Sequence, residues 1–206
     1  MNNVKKIIDT IPNDVTLVAA TKYVDSDKMK VLLENGINNF GENRVDSFLT
    51  KYVDLLDYDV TWHFIGHLQR NKAKLVVDKI DYLHSLDSLE LAKIIDKLRD
   101  KPLNCFIEVN INEEESKNGV RLEDLDSFIS EVIKYENINI IGLMCMTIKE
   151  SDDKYQQFLN LKNVMDNLNK KFNLNLKDLS MGMSDDYLEA IKAGSTYVRL
   201  GRILWM

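Results

Sequence analysis

The sequence predicts a single (β/α)8 barrel with an additional N-terminal helix. Three observations carry this expectation. Eight short runs rich in Val, Ile, Leu and Phe alternate with segments whose apolar residues step by three and four, the pattern of strands alternating with helices. The connections are short, and no Pro/Gly/Ser-rich linker divides the 206 residues. The sixth run, residues 138–146, is apolar at nearly every position, as suits a strand covered on both faces. An open doubly wound sheet is the alternative, and the count of eight favours the barrel. Residues 1–206 are therefore read as one domain, long enough to bury a sizeable core.

In order, residues 5–9 begin a helix that Pro12 ends, and residues 15–21 form the first strand. Ser26 or Asp27 caps a helix to about residue 35, stopped by Gly36. A short strand at 38–40 leads through Gly41, Glu42 and Asn43 into a helix over 45–56, where Phe48, Leu49, Tyr52, Val53 and Leu56 keep helical spacing. The third strand is 61–65. Beyond Gly66 the basic segment HLQRNKAK passes into a helix at 75–77, followed by a fourth strand at 82–86. Asp87 or Ser88 caps the next helix, with Leu91, Ile94, Ile95 and Leu98 as its buried stripe. The fifth strand, 104–110, is followed by the polar loop NINEEESKNG and a helix carrying Leu125, Phe128, Ile129, Val132 and Ile133. After the sixth strand come a long helix through Phe158, Leu161, Met165, Leu168 and Phe172, a seventh strand at 179–183, a short helix at 186–192 ended by Gly194, and an eighth strand at 197–200.

A net charge of −6 argues against a general nucleic-acid binder, because clustered Lys and Arg are what hold a phosphate backbone. No apolar stretch approaches a membrane span, and the first residues lack the apolar centre of a signal peptide, so a cytoplasmic protein is expected. Cys105 and Cys145 lie in strand-like runs rather than in metal or disulfide spacing, and are read as reduced core residues.

In a barrel, polar residues just after the strands share one mouth. Lys22 ends the first strand in VTLVAATKY; alone, such a lysine only marks where a strand meets water. Other strand ends bring Glu42, Asn43, His63, Ser85, Asn110, Thr147 and Arg199. His63 and His67 are four apart, but Gly66 interrupts them and no glutamate follows His63, so no metal site is assigned and His63 is read as a packed, hydrogen-bonded strand residue. His67, Arg70, Lys72 and Lys74 are read as a solvated basic face near the mouth. SMGMS has its glycine central and its serines flanking, which does not make a nucleophile elbow. MGMSDD and RLGR read instead as two glycine-containing turns after strands seven and eight, where barrels recurrently hold phosphate. A lysine amine and a phosphate site at one mouth suit an aldehyde-bearing phosphate cofactor, and pyridoxal 5'-phosphate fits.

The segments VAATKY, NFGENRV, WHFIGHLQRNK, VNINEEESKNGV, IGLMCM and LSMGMSDDYLEAIKAGSTYVRLG, in this order, resemble the YggS/PROSC family of pyridoxal phosphate homeostasis proteins. That family is similar to the N-terminal barrel domain of alanine racemase. The resemblance implies that Lys22 carries the cofactor as an internal aldimine and that Arg199 approaches the pyridine nitrogen. It implies that Ser184 and the backbone of Gly201 and Arg202 receive the phosphate, and that Asn43 and Met144 line the ring. Arg202 stands where many relatives have Thr or Ser, which keeps a backbone contact and removes a side-chain hydroxyl. Residues 203–206 end without the short tail that many relatives carry.

The implied function is non-catalytic: binding, storing or delivering pyridoxal phosphate, as a monomer, with apo-enzymes that use this cofactor as recipients and neither nucleic acid nor membrane as partner. The alternative is a racemase or related amino-acid enzyme. Racemisation needs a base on each face of the substrate Cα, and enzymes resembling alanine racemase draw the second, a tyrosine, from another domain of a partner subunit. This chain is expected to end with its last barrel strand, and Tyr23, Tyr155 and Tyr187 are read as structural. An arginine at the ring nitrogen would disfavour its protonation and leave the ring a weaker electron sink.

Overall fold

The computed structural model describes residues 2–112, 118–147 and 153–205. The apolar runs pair as parallel strands: β1 Thr16–Ala20, β2 Asn39–Glu42, β3 Thr61–Phe64, β4 Tyr82–Leu86, β5 Leu103–Asn110, a two-residue β6 Val120–Arg121, β7 Ile138–Met144, β8 Asp178–Ser180 and β9 Tyr197–Leu200. Their order is β4-β3-β2-β1-β9-β8-β7-β5, and a β4–β5 pairing closes the ring, so the eight expected strands form a barrel with β6 added beside β5. The helices are α1 Asn2–Ile8, α2 Ser26–Glu34, α3 Val45–Asp54, α4 Leu89–Leu98, α5 Leu125–Val132, α6 Lys154–Phe172, α7 Tyr187–Lys192 and α8 Arg202–Trp205. Between β3 and β4 the helix expected at 75–77 is replaced by a 3-10 helix that begins earlier, in the basic segment, at Arg70–Leu75.

Strand parity divides the buried residues into two layers. Ala19, Phe40, Leu83, Cys105, Leu143, Leu179 and Val198 face the helices and belong to one continuous apolar core with Leu32, Phe48, Ile95, Ile129 and Leu161. Each such side chain contributes roughly 1.5–3 kcal/mol on burial, so this outer layer supplies most of the stability. The opposite parity, Val18, His63, His84, Phe106, Ser180 and Arg199, is equally buried but turns inward. With the apolar work done outside, the interior can be polar. Gly142 is required where β7 approaches β8, because a Cβ there would collide with the Asp178 carbonyl.

Three local expectations are revised. Asp25, not Ser26 or Asp27, caps α2 by accepting from the Lys28 amide at 3.0 Å, while Ser26 donates to Asp54 at 2.6 Å and ties α2 to the end of α3. The seventh barrel strand stops at Ser180, because Met181–Met183 already turn toward α7. A helix, α8, follows the last strand and packs on α1, so the described chain does not finish on β9. Of the loop NINEEESKNG, residues 113–117 lie outside the described residues. Cys105 and Cys145 are buried and free.

Candidate functional site

Lys22 lies two residues beyond β1, in the tight turn from Thr21 to Val24 that the Val24 amide closes on the Thr21 carbonyl at 3.0 Å. Its side chain is exposed, and its amine stands 5.0 Å from the centroid of the exposed Tyr23 ring. Thr21 itself is fully buried, with its amide donating to the Gly41 carbonyl at 3.0 Å. Asn43, at the end of β2, packs so closely on Gly66 that a Cβ there would sit 2.5 Å from the Asn43 carbonyl. The Asn43 Oδ1 atom is buried without a hydrogen-bond partner. An orphaned buried acceptor is costly, and it marks a place where a donor from outside would be accommodated.

Arg199 comes from β9, where it pairs in register with Val18 of β1, so it shares the inward face of that strand. Its guanidinium is 5% exposed and donates to the Ser180 carbonyl (2.7 Å), the Ser180 hydroxyl (2.6 Å) and the Cys145 carbonyl (3.0 Å). Behind Ser180 a chain of contacts runs down the barrel axis. Ser180 Oγ lies 2.7 Å from His84 Nδ1, His84 Nε2 lies 2.9 Å from His63 Nδ1, and His63 Nε2 lies 2.9 Å from Asn39 Oδ1. The ends dictate the direction: Arg199 can only donate and a carbonyl oxygen can only accept. With Ser180 donating to His84, His84 to His63 and His63 to Asn39, both imidazoles are neutral, each with its proton on Nε2. Burial holds His63 at a pKa of about 3 and pushes His84 well below its ordinary value, with His63 and Arg199 adding to the effect at His84. Tyr82 stacks on His63, 4.6 Å between centroids, and keeps the ring from turning. Burial lowers the Arg199 pKa, with Cys145, Glu108 and Asp186 acting in the other direction, yet a guanidinium stays charged.

Glu108 of β5 pairs in register with Met144 of β7, which places both on the inward wall near the mouth. Burial first and Asp87 second raise the Glu108 pKa to about 7, against the opposing Arg199. Ser184 sits in the loop after β8, and its hydroxyl oxygen accepts the Gly201 amide at 3.3 Å. That loop is folded around Asp186, which accepts from the Met183 amide (2.6 Å) and the Thr147 hydroxyl (2.9 Å). The Met183 and Gly201 amides are therefore engaged within the loops, and Ser184, accepting from Gly201, keeps its own O–H as a donor. Arg202 is exposed and grips Asp185 through one nitrogen at 2.6 and 2.8 Å.

Not every strand-end residue reaches this mouth. Glu42 has the parity of Phe40 and turns outward beneath α3, where it meets Lys51. His63 lies deep in the barrel, as a packed and hydrogen-bonded residue. His67 is exposed and meets Asp87 at 2.9 Å beside a cleft of about 810 Å³ that also involves Arg70 and Asn118. Sequence reasoning missed His84 and Lys51. A histidine in YLHSL at the same strand parity as Tyr82 was a usable signal for the first; a lone lysine on an amphipathic helix offered none for the second.

A family model described as the alanine racemase N-terminal domain matches residues 1–206. The chain is 38% identical over 198 residues to the pyridoxal phosphate homeostasis protein of Aquifex aeolicus, covering 94% of this chain and 87% of that protein. It is 33% identical to the protein of the same name in Escherichia coli, covering 94% and 86%. Among solved structures it is similar to PipY of Synechococcus elongatus with PLP bound, at a TM-score of 0.93 and 27% identity over 100% of this chain and 99% of that one. An alanine racemase from Clostridium difficile shares the fold alone, with a TM-score of 0.80 at 16% identity over 99% of this chain and 55% of that one.

Proposed function

The chain belongs to the alanine racemase N-terminal domain family, alongside the pyridoxal phosphate homeostasis proteins, and from that premise we propose that it binds pyridoxal 5'-phosphate and holds it in reserve without turning over amino acids. Residues 1–206 act as one cofactor-binding domain, as a monomer, and the recipients are apo-enzymes that require the same cofactor.

The observation that supports this reading is the register of β1 and β9, which sets the strand leading into the Lys22 turn beside the strand that carries Arg199. Groups of suitable chemistry support it: the orphaned Asn43 acceptor, the buried Met144 side chain and the Ser184 hydroxyl. Bound pyridoxal phosphate supplies an aldehyde that an amine can attack and a phosphate that anchors it. Lys22 supplies the amine, from a turn whose root is buried. Arg199 presents a fixed cation, which keeps a proton off a ring nitrogen set against it and so weakens carbanion chemistry. Ser184, with the backbone of Gly201 and Arg202, receives the phosphate, while Asn43 and Met144 line the ring.

Borohydride treatment of protein incubated with the cofactor, followed by peptide mapping, is expected to mark Lys22, and a mark on another lysine would overturn the assignment. Arg199→Ala and Ser184→Ala are expected to retain less cofactor through gel filtration; unchanged retention in both would remove the proposed cradle. Racemisation of alanine abolished by Lys22→Ala would replace the storage reading with an enzymatic one.

A further inference from the structure

Lys51 is a buried cation that the proposed site does not use. It rises from the last turn of α3, its side chain is 8% exposed, and it meets the fully buried Glu42 at 2.5 Å. A buried Lys–Glu pair is weak as a stabilising device, since desolvating two charges costs about as much as their attraction returns. What distinguishes this pair is where its spare hydrogen bonds go. Lys51 Nζ also donates to the Thr21 carbonyl at 2.7 Å, the same oxygen that closes the Thr21–Val24 turn. Thr21 Oγ1 donates to Glu42 Oε1 at 2.5 Å, and Ser47 donates to Glu42 Oε2 at 3.0 Å.

Every polar atom of Thr21 is thereby committed: the amide to Gly41, the hydroxyl to Glu42, and the carbonyl to both Val24 and Lys51. That carbonyl belongs to the peptide joining Thr21 to Lys22, so its orientation sets the plane from which the Lys22 side chain departs. We propose that Lys51, held by Glu42, is a positioning residue for Lys22: it grips the peptide leading into Lys22 and aims that amine into the barrel mouth. The inference rests on the reading of Lys22 as the cofactor-linking lysine. Lys51 touches neither the cofactor nor the reacting atoms; it acts through the turn.

The test separates ring and phosphate binding from attack by the amine. Pyridoxine 5'-phosphate has an alcohol in place of the aldehyde, so it occupies the same contacts without linking to an amine. In Lys51→Met, the rate of borohydride-trappable attachment of pyridoxal phosphate to Lys22 is expected to fall about tenfold or more through lost orientation, with the affinity for pyridoxine 5'-phosphate unchanged. Amide hydrogen exchange at residues 22–24 of the cofactor-free protein is expected to accelerate in the same variant. Should Lys51→Met fail to fold, the double variant Glu42→Gln/Lys51→Met removes both buried charges and is read identically. An unchanged attachment rate, or a rate and an analogue affinity that fall in proportion, would overturn the positioning role. Attachment that persists in Lys22→Ala would overturn the cofactor reading and this inference together, which distinguishes the two failures.

Discussion

On the β1–β2 side of the barrel, the turn bearing Lys22 rests on a buried ion pair, Glu42 with Lys51, placed between the strands and α3. On the β8–β9 side, Arg199 ends a chain of uncharged groups, Ser180, His84, His63 and Asn39, placed inside the barrel. The lysine side is held by two opposite charges and tolerates neither alone. The arginine side is held by hydrogen-bond direction and tolerates no additional proton. One barrel thus anchors its two cationic residues by devices that fail under different insults.

Acid is the sharpest probe of the arginine side. A protonated His63 would turn an N–H toward the N–H of His84, and its charge would lie in a dry interior. Because the folded pKa of His63 is depressed from 6.5 to about 3, the unfolded chain takes up the proton first; the contribution of neutral His63 is complete above pH 6.5 and drains away as pH falls toward 3. The full shift corresponds to about 5 kcal/mol, the largest effect expected here. Urea midpoints across this window check it, and a His63→Gln variant whose acid dependence matches the parent would break the account.

Next comes the lysine side. Lys51→Met strands the Glu42 carboxylate and is expected to cost about 3–5 kcal/mol in urea unfolding, with most of the loss recovered when Glu42→Gln is added. A double variant no better than the single would mean that packing, not charge, holds the turn. Between the two sides stands Glu108, whose raised pKa works against the histidines. Its folded pKa of about 7 exceeds the ordinary 4.5, so the folded state keeps a proton that the unfolded chain releases, and stability falls as pH rises from 4.5 to 7. That arm amounts to about 3 kcal/mol, and Glu108→Gln should remove it, leaving a steeper acid loss over pH 4.5–6.5. The smallest effect belongs to Arg202→Ala. Its ion pair with Asp185 is exposed on both partners, so stability should change by no more than about 0.5 kcal/mol. Cofactor retention should persist too, since the proposal assigns Arg202 only a backbone contact; loss of retention would give its side chain a role.

The barrel was legible because each strand announced itself by a short apolar run, and its eight strands appear within one to three residues of expectation. Lys22, Asn43 and Arg199 stand out in the sequence as candidate site residues because they lie at strand ends inside distinctive local segments. Glu42 was misread: it ends β2 just as Asn43 follows it, but one step in parity turns it from the mouth to the helix layer. The α2 cap slipped by one residue because Asp25, Ser26 and Asp27 are all competent caps, and Ser26 was drawn off by Asp54 of α3. His63 and His84 are 21 positions apart, and Ser180 is 96 beyond His84, so no local pattern could announce their contact.

By itself the sequence determined the alternation of strands and helices, the closed-barrel count and the residues that arrive at strand ends, because hydrophobic period and turn chemistry are local properties of the chain. The tertiary structure alone decided which neighbours those residues acquire. Closing the ring set β9 beside β1 and aligned Arg199 with Val18, gathered two distant histidines into one directional chain, and pressed Lys51 of α3 against the peptide before Lys22. Those contacts depend on strand register and on the face each side chain takes, which are fixed only when the whole sheet closes on itself.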